Sequence, residues 1–431
     1  AASPTASTKR PLEIALVMDT TGSMFTFDKI TGAKAAARQL LDSIYGGDLA
    51  NVSESEYVRV ALVPFAAGVR LNENAYDFNL NWIDTKGLNP LSKLNFSDPT
   101  WNNYMAWGKL KSSESMSMRW NGCVEARAKG NEANGTDYAL NDVAPETDRP
   151  VTLFPAYFAP DSPSIGDKKT YPPEFRRRNW MGTYIPEDSG KPNEITGLKN
   201  HQAQDFTEAG LEVRQNNEAK YNGRVIGAET ATATYGPWSG CAKSPIVPLT
   251  HKRASIDAGI TAMSAAGNTL IAEGIAWGFR VLSPSEPFAK VEGTSTIVAD
   301  AVSTFNHPQW RKVMVLMTDG DNDLSAGVDS LNGTVYSAYG RGSEALPNNR
   351  FGSTSSDSKV AELDFAMSAA CIKAKSAGIE VYVTSFGSGI SNSTRAKLKS
   401  CATDEDNYRH SATSAELADF FNRIGQNLNG L

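Results

Sequence analysis

Three oxygen-bearing side chains at even spacing follow a short apolar run near the start of the chain. Residues 14–24 read IALVMDTTGSM, in which Asp19, Thr21 and Ser23 form the pattern D-x-T-x-S. On a loop that leaves a buried strand, these three side chains would converge on one point. Oxygen ligands suit Mg²⁺, Mn²⁺ or Ca²⁺, whereas Zn²⁺ and copper favour nitrogen and sulfur. The pattern predicts a divalent-cation site, although ordinary turns that satisfy their own backbone also contain it.

Two later segments of the chain supply further candidate oxygen ligands for the same cation. Residues 312–317, KVMVLM, form a second apolar run that leads into Asp319. In an open parallel sheet, Asp19 and Asp319 would both emerge at the carboxyl edge. We expect the carboxylate of Asp19 to lie on the surface at the end of its strand. Between the two runs, Thr269 opens an apolar-periodic segment that predicts the start of a helix, and its hydroxyl is a further candidate ligand and helix cap.

Together, these five residues resemble the metal-ion-dependent adhesion site of von Willebrand factor type A domains. The family pattern is D-x-S-x-S, then a distant Thr, then a distant Asp. Asp19, Thr21, Ser23, Thr269 and Asp319 match it in order, with threonine for the first serine. The resemblance implies that the hydroxyls bind the cation directly and the aspartates mostly through water. The expected ion is Mg²⁺, with Mn²⁺ or Ca²⁺ as alternatives, and one open position would take an Asp or Glu carboxylate of a protein partner.

Strand and helix patterns alternate in both end regions of the chain. The predicted strands beyond the two apolar runs cover residues 57–64, 379–386 and 408–411, and the predicted helices cover 30–44, 360–377, 392–401 and 414–428. Residues 69–71 follow a turn and are interpreted as a short hairpin edge strand. This alternation is typical of a doubly wound, mostly parallel α/β sheet of the von Willebrand factor A or Rossmann-like class.

The middle of the chain breaks that rhythm. Residues 72–249 are rich in Asn, Pro, Gly and Ser, lack a long helical pattern and hold six of the eight tryptophans. So long a segment is not expected to be a structureless loop. We divide the chain into a flexible lead-in (1–10), a sheet domain (11–71 and 250–431) and a large irregular, partly β inserted subdomain (72–249). The tryptophans would form either a ligand platform or, as we favour, the packed core of a helix-poor insert.

Four cysteines occur without C-x-x-C spacing, which indicates neither a zinc site nor a redox pair: Cys123, Cys241, Cys371 and Cys401. An even number in a chain of extracytoplasmic character predicts two disulfides rather than buried thiols. Three pairings are available in principle. We favour Cys371 with Cys401, because both belong to the end of the sheet domain, which leaves Cys123 with Cys241.

Charge and motif content argue against several classes of function. The formal net charge of −6 over 431 residues does not fit a nucleic-acid-binding protein. No P-loop, H-E-x-x-H or G-x-S-x-G signature is present and the four histidines are scattered singly, so we predict that the protein is not an enzyme. Asp319, Asp321 and Asp323 occupy positions one, three and five of a possible EF-hand calcium loop. Position six is Leu324 instead of Gly and position twelve is Ser330 instead of Glu, so the sequence does not match an EF-hand.

Four further segments resemble the TadG-like proteins of bacterial tight-adherence (Tad) pilus systems. They are residues 120–127 (WNGCVEAR), 153–161 (LFPAYFAPD), 277–284 (WGFRVLSP) and 336–340 (YSAYG). Members of that family usually carry an N-terminal membrane helix, which this sequence lacks, so membrane contact is expected only through such an anchor. The resemblance implies a periplasmic or cell-surface component that assists assembly or anchoring of the pilus without catalysis. The alternative is a secreted or surface adhesin that binds an external protein or glycan through the metal site and the insert.

Overall fold

The computed structural model describes residues 10–45, 56–112, 114–132, 135–161, 184–185, 217–226, 236–293, 299–324, 335–341, 350 and 356–429. The strands in these ranges are β1 (Leu12–Asp19), β2 (Val58–Phe65), β3 (Val69–Arg70), β4 (Ile83–Asp84), β5 (Cys123–Val124), β6 (Phe154–Pro155), β7 (Val247–Thr250), β8 (Lys290–Glu292), β9 (Ala299–Ala301), β10 (Arg311–Thr318), β11 (Glu380–Phe386) and β12 (Tyr408–Ser411). The α-helices are α1 (Lys29–Tyr45), α2 (Asn103–Lys109), α3 (Arg253–Ala262), α4 (Ile271–Val281), α5 (Ser356–Ser376), α6 (Asn392–Cys401) and α7 (Ser414–Asn429).

Eight of these strands form one central sheet in the order β12-β11-β10-β1-β2-β7-β8-β9. The five strands from β12 to β2 are mutually parallel, and β7 joins β2 in the antiparallel sense. The chain builds the sheet outward from β1 in one direction and then from β10 in the other, so the strand order reverses between these two strands. The predicted fold class, a mostly parallel α/β sheet with a large insert, is confirmed.

Helices cover both faces of the sheet, which explains why its central strands are apolar throughout. Alternate residues of β1 divide between two clusters: Leu16 and Met18 pack with α1 and α7 on one face, and Ala15 and Val17 pack under α4 and α5 on the other. The α4 helix approaches the sheet closely, because a β-carbon on Gly278 would lie only 2.5 Å from Val17 Cγ2.

Short strands, the short helix α2 and irregular segments make up the inserted subdomain where it is described. β3 pairs with β5, and β4 pairs with β6, in two separate two-stranded sheets. The prediction of a hairpin edge strand at residues 69–71 was therefore wrong, because β3 leaves the sheet domain and takes its partner from the insert. β7 already belongs to the central sheet at Val247, so the chain returns to the sheet slightly before residue 250.

The tryptophans of the insert pack inward. Trp82, Trp101, Trp107 and Trp120 are all buried, and Trp238 is half-buried and stacks on Trp107 with ring centroids 5.4 Å apart. Trp180 lies outside the described residues. Most of these side chains join the same hydrophobic cluster as the strands and α4, so the insert extends the core of the sheet domain.

Two disulfides join the cysteines in the pairing favoured from the sequence. Cys123 is bonded to Cys241 across 118 residues, at the base of the insert. Cys371 on α5 is bonded to Cys401 at the end of α6. Within the described part of the chain no helix is long and apolar enough to cross a membrane.

A buried acid links the insert to the segment 335–341. Glu125 accepts hydrogen bonds from the hydroxyl of Tyr336 and from Asn103 Nδ2, the latter at 2.8 Å. Burial raises the pKa of Glu125 to about 8 from its ordinary value of 4.5, although the Tyr336 hydrogen bond and the charge of Arg350 lower it. The folded state therefore binds a proton that the unfolded state releases at a lower pH.

We expect this acid to make the protein less stable as the pH rises from 4.5 to 8. A carboxyl group whose pKa is raised by folding contributes its stability below the unfolded value, and that stability is lost as the pH rises through the folded value. The slope is at most about 1.4 kcal/mol per pH unit. Urea unfolding of wild type and Glu125→Gln between pH 4 and 9 measures how the free energy of unfolding changes with pH. Parallel stability curves for the two proteins would contradict this role.

Candidate metal site

The five predicted ligand positions meet at the carboxyl edge of the sheet, at the point where the strand order reverses. Asp19 is the last residue of β1, and Asp319 directly follows the end of the adjacent parallel strand, β10. In open α/β sheets this switch point is where the loops from neighbouring strands diverge and leave a crevice for a ligand. The topology therefore brings together residues that are 300 positions apart.

Asp19 is fully buried, which corrects the expectation that it lies on the surface. Its Oδ1 accepts a hydrogen bond from the Thr21 backbone N–H at 2.8 Å, and its Oδ2 accepts one from Thr318 Oγ1 at 2.7 Å. The strand end is covered by the loops that follow β1 and β10, so the carboxylate is enclosed at the base of the site. These bonds fix its orientation.

The hydroxyls of the D-x-T-x-S loop face the second aspartate. Thr21 Oγ1 lies 3.0 Å from Ser23 Oγ, and Ser23 Oγ donates to Asp319 Oδ1 at 2.6 Å. The loop is tied to the segment before α4, because the Gly22 N–H donates to the carbonyl of Gly267 at 2.8 Å. Gly267 has a φ of 83°, a conformation that suits glycine.

Thr269 lies on the segment before α4, and its hydroxyl lies close to the same small space as the hydroxyl of Ser23. It exchanges two backbone hydrogen bonds with Asp323, of 2.9 and 3.0 Å. A β-carbon on Gly320 would lie 3.6 Å from Thr269 Oγ1 and 3.7 Å from Ser23 Oγ, so both hydroxyls face the same small space. The predicted capping role was wrong: α4 begins at Ile271, whose N–H is bound by Asn322 Oδ1 at 3.0 Å.

Lys29, the first residue of α1, is a member of the site that sequence reasoning missed. Its ammonium forms an ion pair with Asp319 Oδ2, on the carboxylate oxygen that Ser23 does not use. Gly387 makes room for the lysine stem, since a β-carbon there would lie 3.3 Å from Lys29 Cδ. No motif marks a lysine six positions after Ser23, so only the fold reveals it.

The two aspartates repel each other in this enclosed setting. Burial, followed by the charge of Asp319, raises the pKa of Asp19 to about 7, although hydrogen bonds from Thr21 and Thr318 lower it. Two carboxylates this close together favour a positive charge between or beside them. Lys29 supplies one such charge, and a divalent cation would supply another.

The donor set fits a hard divalent cation. The three hydroxyls and two carboxylates offer only oxygen, and neighbouring ligands of an octahedral ion bound at 2.0–2.1 Å are about 3 Å apart. The 3.0 Å between the Thr21 and Ser23 hydroxyls matches that spacing. No cluster of three or more His, Cys, Asp and Glu side chains suited to a metal occurs among the described residues, so the nitrogen- and sulfur-rich sites preferred by zinc are not seen there.

Two neighbouring features do not add catalytic groups. Asp321 accepts a hydrogen bond from the backbone N–H of Ser391 at 2.9 Å, and it thus supports the start of α6. Ser385 Oγ lies 2.9 Å from His410 Nδ1, but Ser385 is fully buried and also lies 2.9 Å from the hydroxyl of Tyr408. A serine enclosed in the sheet is not accessible to a substrate as a nucleophile.

Solved structures of low sequence identity match the chain. Neither a protein-family model nor a curated protein sequence matches the chain. The vWF domain of the type V pili tip protein Mfa5 from Porphyromonas gingivalis is 11% identical, with a TM-score of 0.37, covering 98% of this chain and 96% of that one. The pilus adhesin SpaC from Lactobacillus rhamnosus GG is 13% identical, with a TM-score of 0.37 over 97% of this chain.

This chain spans about 30% of the length of SpaC. A third match is proximal thread matrix protein 1 from the mussel byssus, in a structure with a zinc-occupied MIDAS motif, at 12% identity and a TM-score of 0.23; the match covers 97% of this chain and 95% of that one. Similarities this low assign no function. The fold class rests on the strand order of the sheet, and the candidate site rests on its own geometry.

Proposed function

We propose that the protein is a non-enzymatic, cation-dependent protein-binding component of the bacterial cell envelope that assists assembly or anchoring of a Tad-type pilus. The observation that carries the binding role is the convergence of Thr21, Ser23 and Thr269 with Asp19 and Asp319 at the switch point. Three hydroxyls and two carboxylates would hold Mg²⁺. The bound ion would supply a positive charge with room for one carboxylate oxygen of the partner.

The residues of this chain would prepare the site for that partner. Asp19 is fixed by two hydrogen bonds and Asp319 by Ser23 and Lys29, so little ordering is required when a ligand arrives. A carboxylate that leaves water gains most from a charge in an enclosed setting, where electrostatic interactions are strong. The carboxylates of this site are already engaged, Asp19 by Thr21 and Thr318 and Asp319 by Ser23 and Lys29, which supports a role as cation ligands rather than in hydrolysis.

The envelope assignment is supported by the TadG-like segments, which meet in one place. Phe154 contacts Trp277 with ring centroids 4.9 Å apart, and Tyr157 contacts Tyr336 at 5.0 Å. The Tyr157 hydroxyl also donates to the carbonyl of Tyr336 at 3.0 Å. These segments thus hold the insert against the sheet domain. They define the architecture of the protein, and partner recognition would fall to the loops at the carboxyl edge.

The adhesin alternative would gain support from exposed tryptophans beside the cation. Four of the insert tryptophans are buried and Trp238 is only partly accessible, so the described tryptophans do not form a platform for a glycan. This favours recognition at the cation site over recognition by the tryptophans.

Affinity capture from envelope extracts tests the proposal. We expect the immobilised protein to retain envelope or pilus proteins in Mg²⁺, to release them in EDTA, and to lose them in the variant Thr269→Ala. Thr403→Ala is a matched control, because Thr403 Oγ1 accepts a hydrogen bond from the Val381 N–H at the opposite edge of the sheet. Retention of the same proteins with EDTA, or by Thr269→Ala, would contradict the proposal.

A further inference from the structure

The loop that follows the candidate site exposes two large aromatic side chains. Phe25 and Phe27 are 79% and 91% exposed, the highest values among the large hydrophobic side chains that the structure describes. They stand two and four positions after Ser23, a candidate cation ligand. Met24, between Ser23 and Phe25, is fully buried and fixes the loop to the core under α1. The two rings therefore lie beside the cation site on an anchored segment.

The backbone holds this segment in a conformation that is unfavourable for residues with a β-carbon. Phe27 has a φ of 55° and Asp28 a φ of 53°, both in the left-handed region. The Lys29 N–H donates to the carbonyls of Met24 and Thr26, and Thr31 Oγ1 donates to Asp28 Oδ1 at 2.8 Å. The surrounding bonds thus impose the turn, and strained backbone of this kind is concentrated at binding sites.

We propose that Phe25 and Phe27 form an aromatic ridge that packs against apolar side chains flanking the carboxylate of a protein partner. The inference rests on the proposed function, since the carboxylate is the one that the cation would capture. Apolar contact around the ion excludes water, and a carboxylate–cation contact is stronger once it is shielded from water. The partner segment would be an exposed loop that carries Asp or Glu with apolar neighbours.

The charge of the surroundings favours a protein over a membrane surface. Asp28 is exposed beside the ridge, and Asp321 and Asp323 lie on the loop that follows β10. Lys29, the basic residue nearest to the ridge along the chain, is paired with Asp319. Segments that enter anionic lipid surfaces combine aromatic residues with free lysine and arginine, and residues 20–28 contain neither.

Two synthetic peptides separate the ridge from the cation. One is acetyl-Gly-Leu-Asp-Leu-Gly and the other acetyl-Gly-Ser-Asp-Ser-Gly, each attached through its C-terminus in many copies to a soluble carrier. Binding is measured on densely immobilised protein, so that multivalent contact makes weak binding measurable. In Mg²⁺ we expect wild type to bind the leucine peptide at least about tenfold more tightly than the serine peptide. The double variant Phe25→Ser/Phe27→Ser should lose that preference and keep its binding to the serine peptide.

Tyr57→Ser is the matched control. Tyr57 is 65% exposed and lies just before β2, at the opposite edge of the sheet, so its loss should leave the preference for the leucine peptide unchanged.

Two results would contradict the proposed role of Phe25 and Phe27 and leave cation-dependent capture intact. They are equal binding of both peptides by wild type, and a preference for the leucine peptide that persists in the double variant. Binding of neither peptide by Mg²⁺-loaded wild type would overturn carboxylate capture itself. Phe-dependent binding to phosphatidylethanolamine–phosphatidylglycerol vesicles would assign the ridge to a membrane and overturn the protein-docking proposal.

Discussion

Asp19→Asn is expected to weaken Mg²⁺ binding by about a hundredfold or more while the protein stays folded. The substitution removes one of the two negative charges that would balance the ion. The side-chain oxygen of asparagine can still accept the hydrogen bond from the Thr21 N–H, so the loop after β1 keeps its anchor. Because the pKa of Asp19 is raised to about 7 by burial and by Asp319, a neutral side chain should not destabilise the ion-free protein.

Calorimetric titration with Mg²⁺ and thermal unfolding in EDTA measure the two parts of this prediction. Asp321→Asn serves as the control, since Asp321 lies on the same loop but binds the Ser391 backbone. The Mg²⁺ affinity of Asp321→Asn should stay within about threefold of wild type, because Asp321 lies outside the predicted ligand set. Wild-type affinity in Asp19→Asn would exclude Asp19 from the site, and unfolding of this variant would show that the buried carboxylate serves the fold.

Glu13→Ala is expected to cost about 3–5 kcal/mol of unfolding free energy, at the opposite end of β1 from the cation site. Glu13 is fully buried and lies in register with Arg59 on β2 and Lys312 on β10, and it forms ion pairs with both. Ser303 donates to it from its backbone N–H at 2.9 Å and from its hydroxyl at 2.7 Å. Alanine would leave two buried cations without their shared anion.

Urea unfolding of Glu13→Ala and Glu13→Gln tests this, because glutamine keeps one of the two acceptor oxygens but not the charge. Burial raises the pKa of Glu13, but Lys312 and the hydrogen bonds from Ser303 outweigh it and leave the pKa lowered. A lowered pKa contributes stability above the unfolded value of about 4.5, and this is lost as the pH falls. Loss of stability between pH 5 and 3 should therefore be shallower in Glu13→Gln. A loss of less than about 1 kcal/mol of unfolding free energy in Glu13→Ala would contradict a stabilising role for Glu13.

The sheet domain could be predicted from the sequence because its signals are local. Strands buried on both faces appear as continuous apolar runs, and the intervening helices show their own periodicity. The predicted helix at 392–401 and strand at 408–411 match α6 and β12. The disulfide between α5 and α6 also followed from local context, since both cysteines lie on neighbouring helices of that region.

The predictions that failed concern contacts between residues distant in sequence. β3 looks like the second strand of a hairpin, but its partner β5 is more than 50 residues away. The burial of Asp19 comes from loops after two different strands, and the ion pair of Lys29 joins residues 290 positions apart. The sequence favoured inward packing of the insert tryptophans, and four of them are buried, but no periodic pattern predicts which elements they pack against. Two features were anticipated across such separations: the convergence of the five ligand positions, which follows from a motif, and the disulfide between Cys123 and Cys241, which follows from the pairing of the other two cysteines.

Anomalous diffraction from crystals grown in Mn²⁺ tests the central claim most directly. Manganese prefers the same oxygen ligands as Mg²⁺ and its anomalous signal identifies it. We predict one strong peak at the carboxyl edge, about 2.0–2.2 Å from the hydroxyls of Thr21, Ser23 and Thr269, with Asp19 and Asp319 in or just beyond its coordination shell. An absence of density among these side chains at millimolar Mn²⁺, or a peak bound only at other residues, would contradict a cation site at the switch point.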